Sequence, residues 1–260
     1  MILRGKTIII SGVGPGMGGK LGMQAAKEGA KVVLAARSTE YVGRVAADIR
    51  AAGGEAVTVK ADVSKQGDCL RVAAEAQQAF GPIGGLVNSA YRPGNFVPFE
   101  RADLNDWRES FGVTLFGSLQ MVQAVLPSMR ANGGGSIVNI CTMEIRRPIA
   151  DHGSYGVPKA ALQAATRQLA LELGKHKIRV NAAIPGWMWG VPVENFMTPM
   201  AKEKGVSLDE LLAPIAASIP LGRMPPDGEC ARSVLMLLSD YCSQVTGASL
   251  DVNGGDFLAL

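Results

Sequence analysis

Seven short runs of β-branched and apolar residues recur along the chain, separated by longer stretches rich in Ala, Leu and Gln. The runs Lys6–Ser11, Lys31–Ala36, Ala56–Lys60, Gly85–Asn88, Ser136–Ile140, Ile178–Ala183 and Ser249–Val252 read as strands. Between them the pattern predicts helices near 17–29, 39–52, 65–80, 103–131, 154–175 and 227–238. Strands such as IIIS and VVLAA are apolar at successive positions instead of alternating, which suits a sheet covered on both faces. Alternating strands and helices imply parallel strands joined by right-handed crossovers. The expected fold class is α/β: one domain over residues 1–260, a doubly wound parallel sheet of about seven strands with helices on both faces.

Residues 185–220, beginning PGWMWGVPVENFMTPM, break this rhythm and are too long for a plain connection. Trp187, Met188, Trp189, Phe196, Met197 and Met200 are too many large apolar groups to sit in water, so the segment is expected to be a lid over an apolar site. A hydrophobic contact between subunits is the alternative.

Composition narrows the function. Of 260 residues, 47% are apolar and 19% charged, enough for a packed core and incompatible with wholesale disorder. The net charge is only +3 and no block of five basic residues occurs, which argues against a nucleic-acid partner. No uninterrupted apolar run reaches 18 residues, so no membrane span is expected. The N-terminus MILRGKTIII lacks the form of a secretory signal, and a cytoplasmic location is expected. Cys69, Cys141, Cys230 and Cys242 form no C-x-x-C pair, and His152 and His176 form no H-E-x-x-H, so reduced thiols and no metal site are expected.

The first strand runs into Ser11-Gly12-Val13-Gly14-Pro15-Gly16-Met17-Gly18-Gly19 and then a helix. A pyrophosphate needs backbone N–H groups aimed at it, no Cβ in the way and a helix N-terminus behind it; glycines at 12, 16 and 18 supply that access. The second strand ends Val33-Leu34-Ala35-Ala36-Arg37-Ser38, where an NAD-binding unit would carry an acid for the ribose 2′-hydroxyl. A guanidinium at Arg37 would instead hold a 2′-phosphate, so NADP(H) is the expected cofactor, with NAD as the alternative if Glu40 turned toward a ribose.

Tyr155-Gly156-Val157-Pro158-Lys159 opens a long helical stretch. Residues four apart share a helix face, so the Lys159 ammonium is expected near the Tyr155 phenol, lowering a pKa of ~10 toward the working range. Tyr155 would then exchange a proton with an alcohol or ketone as hydride moves. Pro158 is tolerable only near a helix start, which places that start close to Ser154.

From about Gly5 to Gly255 the sequence resembles the short-chain dehydrogenase/reductase family. The resemblance is carried by the SGVGPGMG loop, Asp62-Val63, Asn88-Ser89-Ala90, IVNICT at 137–142, YGVPK, the Pro185-Gly186 turn and VTGASLDVNGG at 245–255. It implies a Rossmann-type sheet of seven strands, Tyr155 as acid/base, Lys159 on the nicotinamide ribose and Asp62 near the adenine. It further implies cofactor contacts from Ser11, Gly12, Gly14, Gly16, Met17, Gly18, Val63, Asn88, Ala90, Pro185, Gly186 and Met188, and assembly into homodimers or homotetramers. The Y-x-x-x-x-x-x-K spacing of enoyl reductases is absent, since Leu162 stands seven past Tyr155.

The chain also departs from the family. The substrate-orienting Ser is Thr142, which keeps a hydroxyl and adds a methyl. The Asn that usually anchors a relay water is Thr114, and the Gly of N-N-A-G is Tyr91, a candidate for shaping the substrate mouth. Gly190 stands where a cofactor-binding Thr is expected, and His152 reads as a loop histidine.

The expected activity is NADP(H)-dependent interconversion of a secondary alcohol and a ketone. The Met- and Trp-rich lid, with Phe96 and Phe99, suggests a lipophilic small-molecule substrate. Arg146–Arg147 would alternatively suit an anionic or 3-oxoacyl-thioester substrate. A rival from another class is a cofactor-binding scaffold that has lost its chemistry, motivated by Ser89, Tyr91 and Thr114.

Overall fold

The computed structural model describes residues 1–258. Seven strands, β1 (Thr7–Ser11), β2 (Lys31–Ala36), β3 (Glu55–Lys60), β4 (Ile83–Asn88), β5 (Gly135–Ile140), β6 (Ile178–Pro185) and β7 (Ser249–Val252), form one parallel sheet in the order β3-β2-β1-β4-β5-β6-β7. Side chains alternate across the pleat, so adjacent residues of one strand feed two different cores. Ile8, Ile10, Val32 and Leu34 pack against α1 (Met17–Lys27) and α2 (Thr39–Ala51) on one face. Ile9, Val33, Leu86 and Ile137 pack against α3 (Gln66–Phe80) on the other. This two-sided burial is why the strands are apolar at successive positions.

The strand order reverses between β1 and β4, and a crevice opens there at the carboxyl ends of the strands, the place where ligands bind in sheets of this kind. A chain of buried side chains locks that end. Ser11 Oγ donates to Asn88 Oδ1 at 3.2 Å, Asn88 Nδ2 to Asn139 Oδ1 at 2.9 Å, and Asn139 Nδ2 to Thr166 Oγ1 at 2.9 Å. Each is buried and each has a partner, so the network fixes the strands laterally without an orphaned polar group.

The helix expected over 103–131 is three pieces: α4 (Leu104–Phe111), a π-helical turn (Gly112–Gly117) and α5 (Ser118–Ala131). Its N-terminus is capped by Asp103, whose carboxylate accepts from the Asn105 N–H at 2.8 Å. Gly117 allows the close approach to the chain after β3: a Cβ there would lie 2.6 Å from Val63 Cγ2. The stretch Leu104–Ala131 is long and apolar enough to cross a membrane, yet Met121, Val122, Val125 and Met129 are buried in the core, as in a packed core helix.

The segment 185–220 is not an irregular loop. After β6 it forms α7 (Val191–Lys204) and α8 (Leu208–Ser218), the latter opened by a capping box between Ser207 and Glu210. The remaining helices are α6 (Gly153–Leu173) and α9 (Asp227–Met236). All four cysteines are buried and unpaired.

Candidate functional site

Two cavities of about 430 and 640 Å³ open along the crevice and share Gly12, Gly14, Ser89 and Tyr91 in their walls. The larger is bounded by the ends of β2 and β3 and the smaller by the end of β5, the start of α6 and the chain leading into α7.

The glycine loop between β1 and α1 lines both. Gly12 takes φ +81, and a Cβ there would sit 2.2 Å from the Ala90 backbone, so no other residue fits. At Gly14 a Cβ would meet nothing within 4 Å because the position faces open space. No side chain caps the N-terminus of α1. Free N–H groups, the positive end of the helix and an elongated groove fit a dinucleotide pyrophosphate.

At the far end of the groove Arg37 is exposed and lines the larger cavity with Ser38, Asp62 and Val63. Glu40, the alternative ribose acceptor, pairs with Arg44 at 3.0 Å on the outside of α2. The Asp62 carboxylate is held below its ordinary range by the Ser64 hydroxyl, at 2.7 Å, and by the nearby Arg37 charge.

Tyr155, Lys159 and Thr142 meet in the smaller cavity. Gly153 brings the start of α6 against Trp107, where a Cβ would lie 2.5 Å from the indole, and Ser154 Oγ donates to the Asn95 carbonyl at 3.1 Å. The helix therefore begins one residue before Ser154, and Pro158 falls in its second turn. The loop carrying Tyr91 is pinned by buried Asp106, which accepts from Arg92 and from the Asn95 N–H at 2.8 Å. Tyr91 then stands edge-on to Tyr155, ring centroids 5.7 Å apart at 66°.

The expected lowering of the Tyr155 pKa is corrected: burial raises it instead. Lys159 is buried, its ammonium donates to the Ile140 carbonyl at 2.5 Å and lies 5.2 Å from the centre of the Tyr91 ring. Burial brings its pKa down to about 8. The Tyr155 phenol is pushed above its ordinary value by burial, opposed by the Thr142 hydroxyl; Lys159 is not among the groups that shift it. Four-residue spacing brings both side chains to one cavity, but burial of the phenol outweighs what favours its charged form.

Of the other residues singled out in the sequence, Gly16, Met17, Gly18, Pro185, Gly186 and Met188 line the smaller cavity and Ala90 the larger. The side chains of Ser11 and Asn88 do not line it; they are spent in the buried network. Thr114 is buried outside both cavities, its hydroxyl facing the Arg92 N–H at 3.4 Å. From 185–220, Trp187, Met188, Pro192 and Val193 wall the smaller cavity, whereas Phe196 points to solvent. Arg146 and Arg147 are tied to Asp251 and Asp256 at 3.3 and 3.1 Å and clamp the C-terminal segment. Gly190 faces Asp227, with room for no Cβ: one there would lie 2.6 Å from the carboxylate. Sequence reasoning missed Glu144, which lines the cavity beside Tyr155 and pairs with His152 at 3.1 Å.

Residues 12–256 match a family model described as enoyl-(acyl carrier protein) reductase. The chain is 31% identical over 255 residues to a 2,5-dichloro-2,5-cyclohexadiene-1,4-diol dehydrogenase of Sphingobium indicum, covering 97% of this chain and 96% of the relative. It is 30% identical over 253 residues to the 7alpha-hydroxysteroid dehydrogenase of Escherichia coli, covering 97% and 94%. Among solved structures, the L-sorbose reductase of Gluconobacter frateurii, complexed with NADPH and L-sorbose, superposes with a TM-score of 0.94 at 27% identity, covering 100% of this chain and 99% of that one.

Proposed function

The chain belongs to the short-chain dehydrogenase/reductase family and is an NAD(P)-dependent oxidoreductase acting on CH–OH groups; within that class, we propose that it uses NADP(H) to interconvert a secondary alcohol and a ketone on a largely apolar substrate. The observation that carries this is the convergence of Tyr155, Thr142 and Lys159 on a cavity that also receives the glycine loop.

The glycine loop and the start of α1 would hold the pyrophosphate, Arg37 the 2′-phosphate, Asp62 and Val63 the adenine side, and Lys159 the nicotinamide ribose of a bound cofactor, whose nicotinamide would supply hydride chemistry. Thr142 donates a hydrogen bond that orients the substrate oxygen, and Tyr155 gives that oxygen a proton in reduction or removes one in oxidation. Burial raises the phenol pKa and keeps Tyr155 protonated through the neutral range, ready to donate to a ketone oxygen. Met143, Ile149, Trp187 and Val193 form the apolar wall that supports a lipophilic substrate. Against enoyl reduction, the position seven past Tyr155 is Leu162, which is packed in the core. Against an acyl-thioester substrate held by Arg146 and Arg147, both guanidiniums are already paired.

Steady-state rates with both cofactors test the assignment. Arg37→Asp is expected to raise the NADP KM by about 10- to 100-fold through the lost bidentate contact and the added repulsion, with little effect on the NAD KM. An unchanged NADP KM would remove Arg37 from the 2′-phosphate site. For assembly, Leu104 and Phe116 are exposed along Leu104–Ala131, which supports homo-oligomers through that helix. Phe116→Glu is expected to shift the protein to a smaller species in sedimentation; an unaltered sedimentation coefficient would place the contact elsewhere.

A further inference from the structure

We propose that Glu144, braced by His152, forms a polar subsite that receives a second hydroxyl group of the substrate, making the substrate class apolar-framed diols and hydroxyketones. The inference rests on Tyr155 marking the reacting end of the cavity.

Glu144 lies two residues past Thr142, in the short 3-10 turn Met143–Ile145, and faces the same cavity as Tyr155. One carboxylate oxygen, Oε2, is paired with His152 Nδ1 at 3.1 Å. Among the described residues nothing donates to Oε1, and it is not sealed from solvent. His152 is brought back to Glu144 by a turn in which Asp151 adopts φ +68, a left-handed conformation that Asp tolerates. The imidazole is then fixed by stacking on Phe96, centroids 4.0 Å apart at 17°, while Phe96 stands edge-on to Tyr155 at 6.4 Å.

The surrounding wall is Met143, Ile149, Trp187, Met188 and Val193. A wholly apolar ligand seated there would cover Oε1 and strip its water without returning a hydrogen bond, an expensive exchange for a carboxylate. A ligand that brings a donor recovers that interaction. A site built around such an acceptor discriminates strongly against the analogue lacking the donor, because the buried group is then left unpaired. A neutral hydroxyl is favoured over an ammonium: His152 already serves the carboxylate, and a second ion would have to be desolvated in an apolar wall.

The test titrates NADP⁺-loaded Tyr155→Phe protein with cyclohexanol and with 1,2-, 1,3- and 1,4-cyclohexanediol, following intrinsic tryptophan fluorescence, to which Trp187 in the cavity wall contributes. At least one diol is expected to bind on the order of tenfold more tightly than cyclohexanol. That preference should vanish when Glu144→Leu is added and survive in part with Glu144→Gln, which keeps an acceptor oxygen and guards against misfolding. Equal binding of all four alcohols, or a preference that persists in both Glu144 variants, would overturn the subsite. Tighter binding of 4-aminocyclohexanol than of every diol would overturn the hydroxyl class. Turnover of the same compounds by protein with Tyr155 intact is the separate arm. A Glu144-dependent diol preference without turnover would sink the alcohol–ketone reading while the subsite stands, and turnover without the preference would do the reverse.

Discussion

Tyr155→Phe is expected to lower kcat for ketone reduction by about 10²–10⁴-fold, the span that a positioned proton donor contributes, and to leave NADPH affinity unchanged. The ring of Phe preserves the edge contacts with Tyr91 and Phe96, so the wall of the cavity and the start of α6 are retained. Only the proton carrier is lost. Because burial raises the phenol pKa, ionisation of Tyr155 should leave no mark on the reduction rate in the neutral range, whereas the oxidation rate should climb with pH only up to about 8, where loss of the Lys159 proton sets in. Initial rates in both directions from pH 6 to 10, with cofactor affinity measured separately, check the prediction. A variant that retains the wild-type rate would assign the proton to another group.

Lys159→Met is expected to damage catalysis and stabilise the fold at the same time. Lys159 is buried, with its pKa lowered from the ordinary 10.5 to about 8. Since the folded value is the lower one, the unfolded chain binds more protons between pH 8 and 10.5. The burial cost is therefore complete below pH 8 and fades as pH rises toward 10.5. Removing the ammonium relieves that cost but also forfeits the hydrogen bond to Ile140, for a net gain of about 1–2 kcal/mol near pH 7. In a domain of this size that is a rise of a few degrees in Tm. The same change removes the cation beside the ribose position and is expected to cost about 10²-fold in kcat/KM. Wild-type activity should fall as pH passes about 8 and the ammonium is lost; the variant should lack that limb. A variant with lowered Tm and an unaltered pH profile would make Lys159 a structural residue.

The sheet was legible because each strand signals both cores at once: Ile8-Ile9-Ile10 and Val32-Val33-Leu34 have no polar face to hide. The glycine loop and the Tyr155–Lys159 spacing were legible because backbone access and helix geometry act over a few residues. What spacing did not carry was competition between distant groups. Lys159 settles on Ile140 and Tyr91, which lie 19 and 68 positions away in the chain. The side chains of Ser11 and Asn88 are drawn by parallel neighbours in the sheet into a buried network, a pairing that local spacing does not show. Glu144 and His152 are joined by a non-repeating turn through Asp151, and no periodicity encodes such a turn. The π-helical turn at Gly112–Gly117 escaped for a related reason: it answers to Val63 on a different element, and the helical pattern around it reads as continuous.

The most direct measurement mixes the wild-type protein with NADPH and a series of cyclic ketones and hydroxyketones, recording loss of the reduced nicotinamide alongside the alcohol formed. One molecule of secondary alcohol should appear for each NADPH consumed, at a rate that depends on the ketone present. NADPH that binds in the groove but stays unoxidised with every ketone, while NADP⁺ likewise oxidises none of the matching alcohols, would contradict the account and leave a nucleotide-binding protein without chemistry.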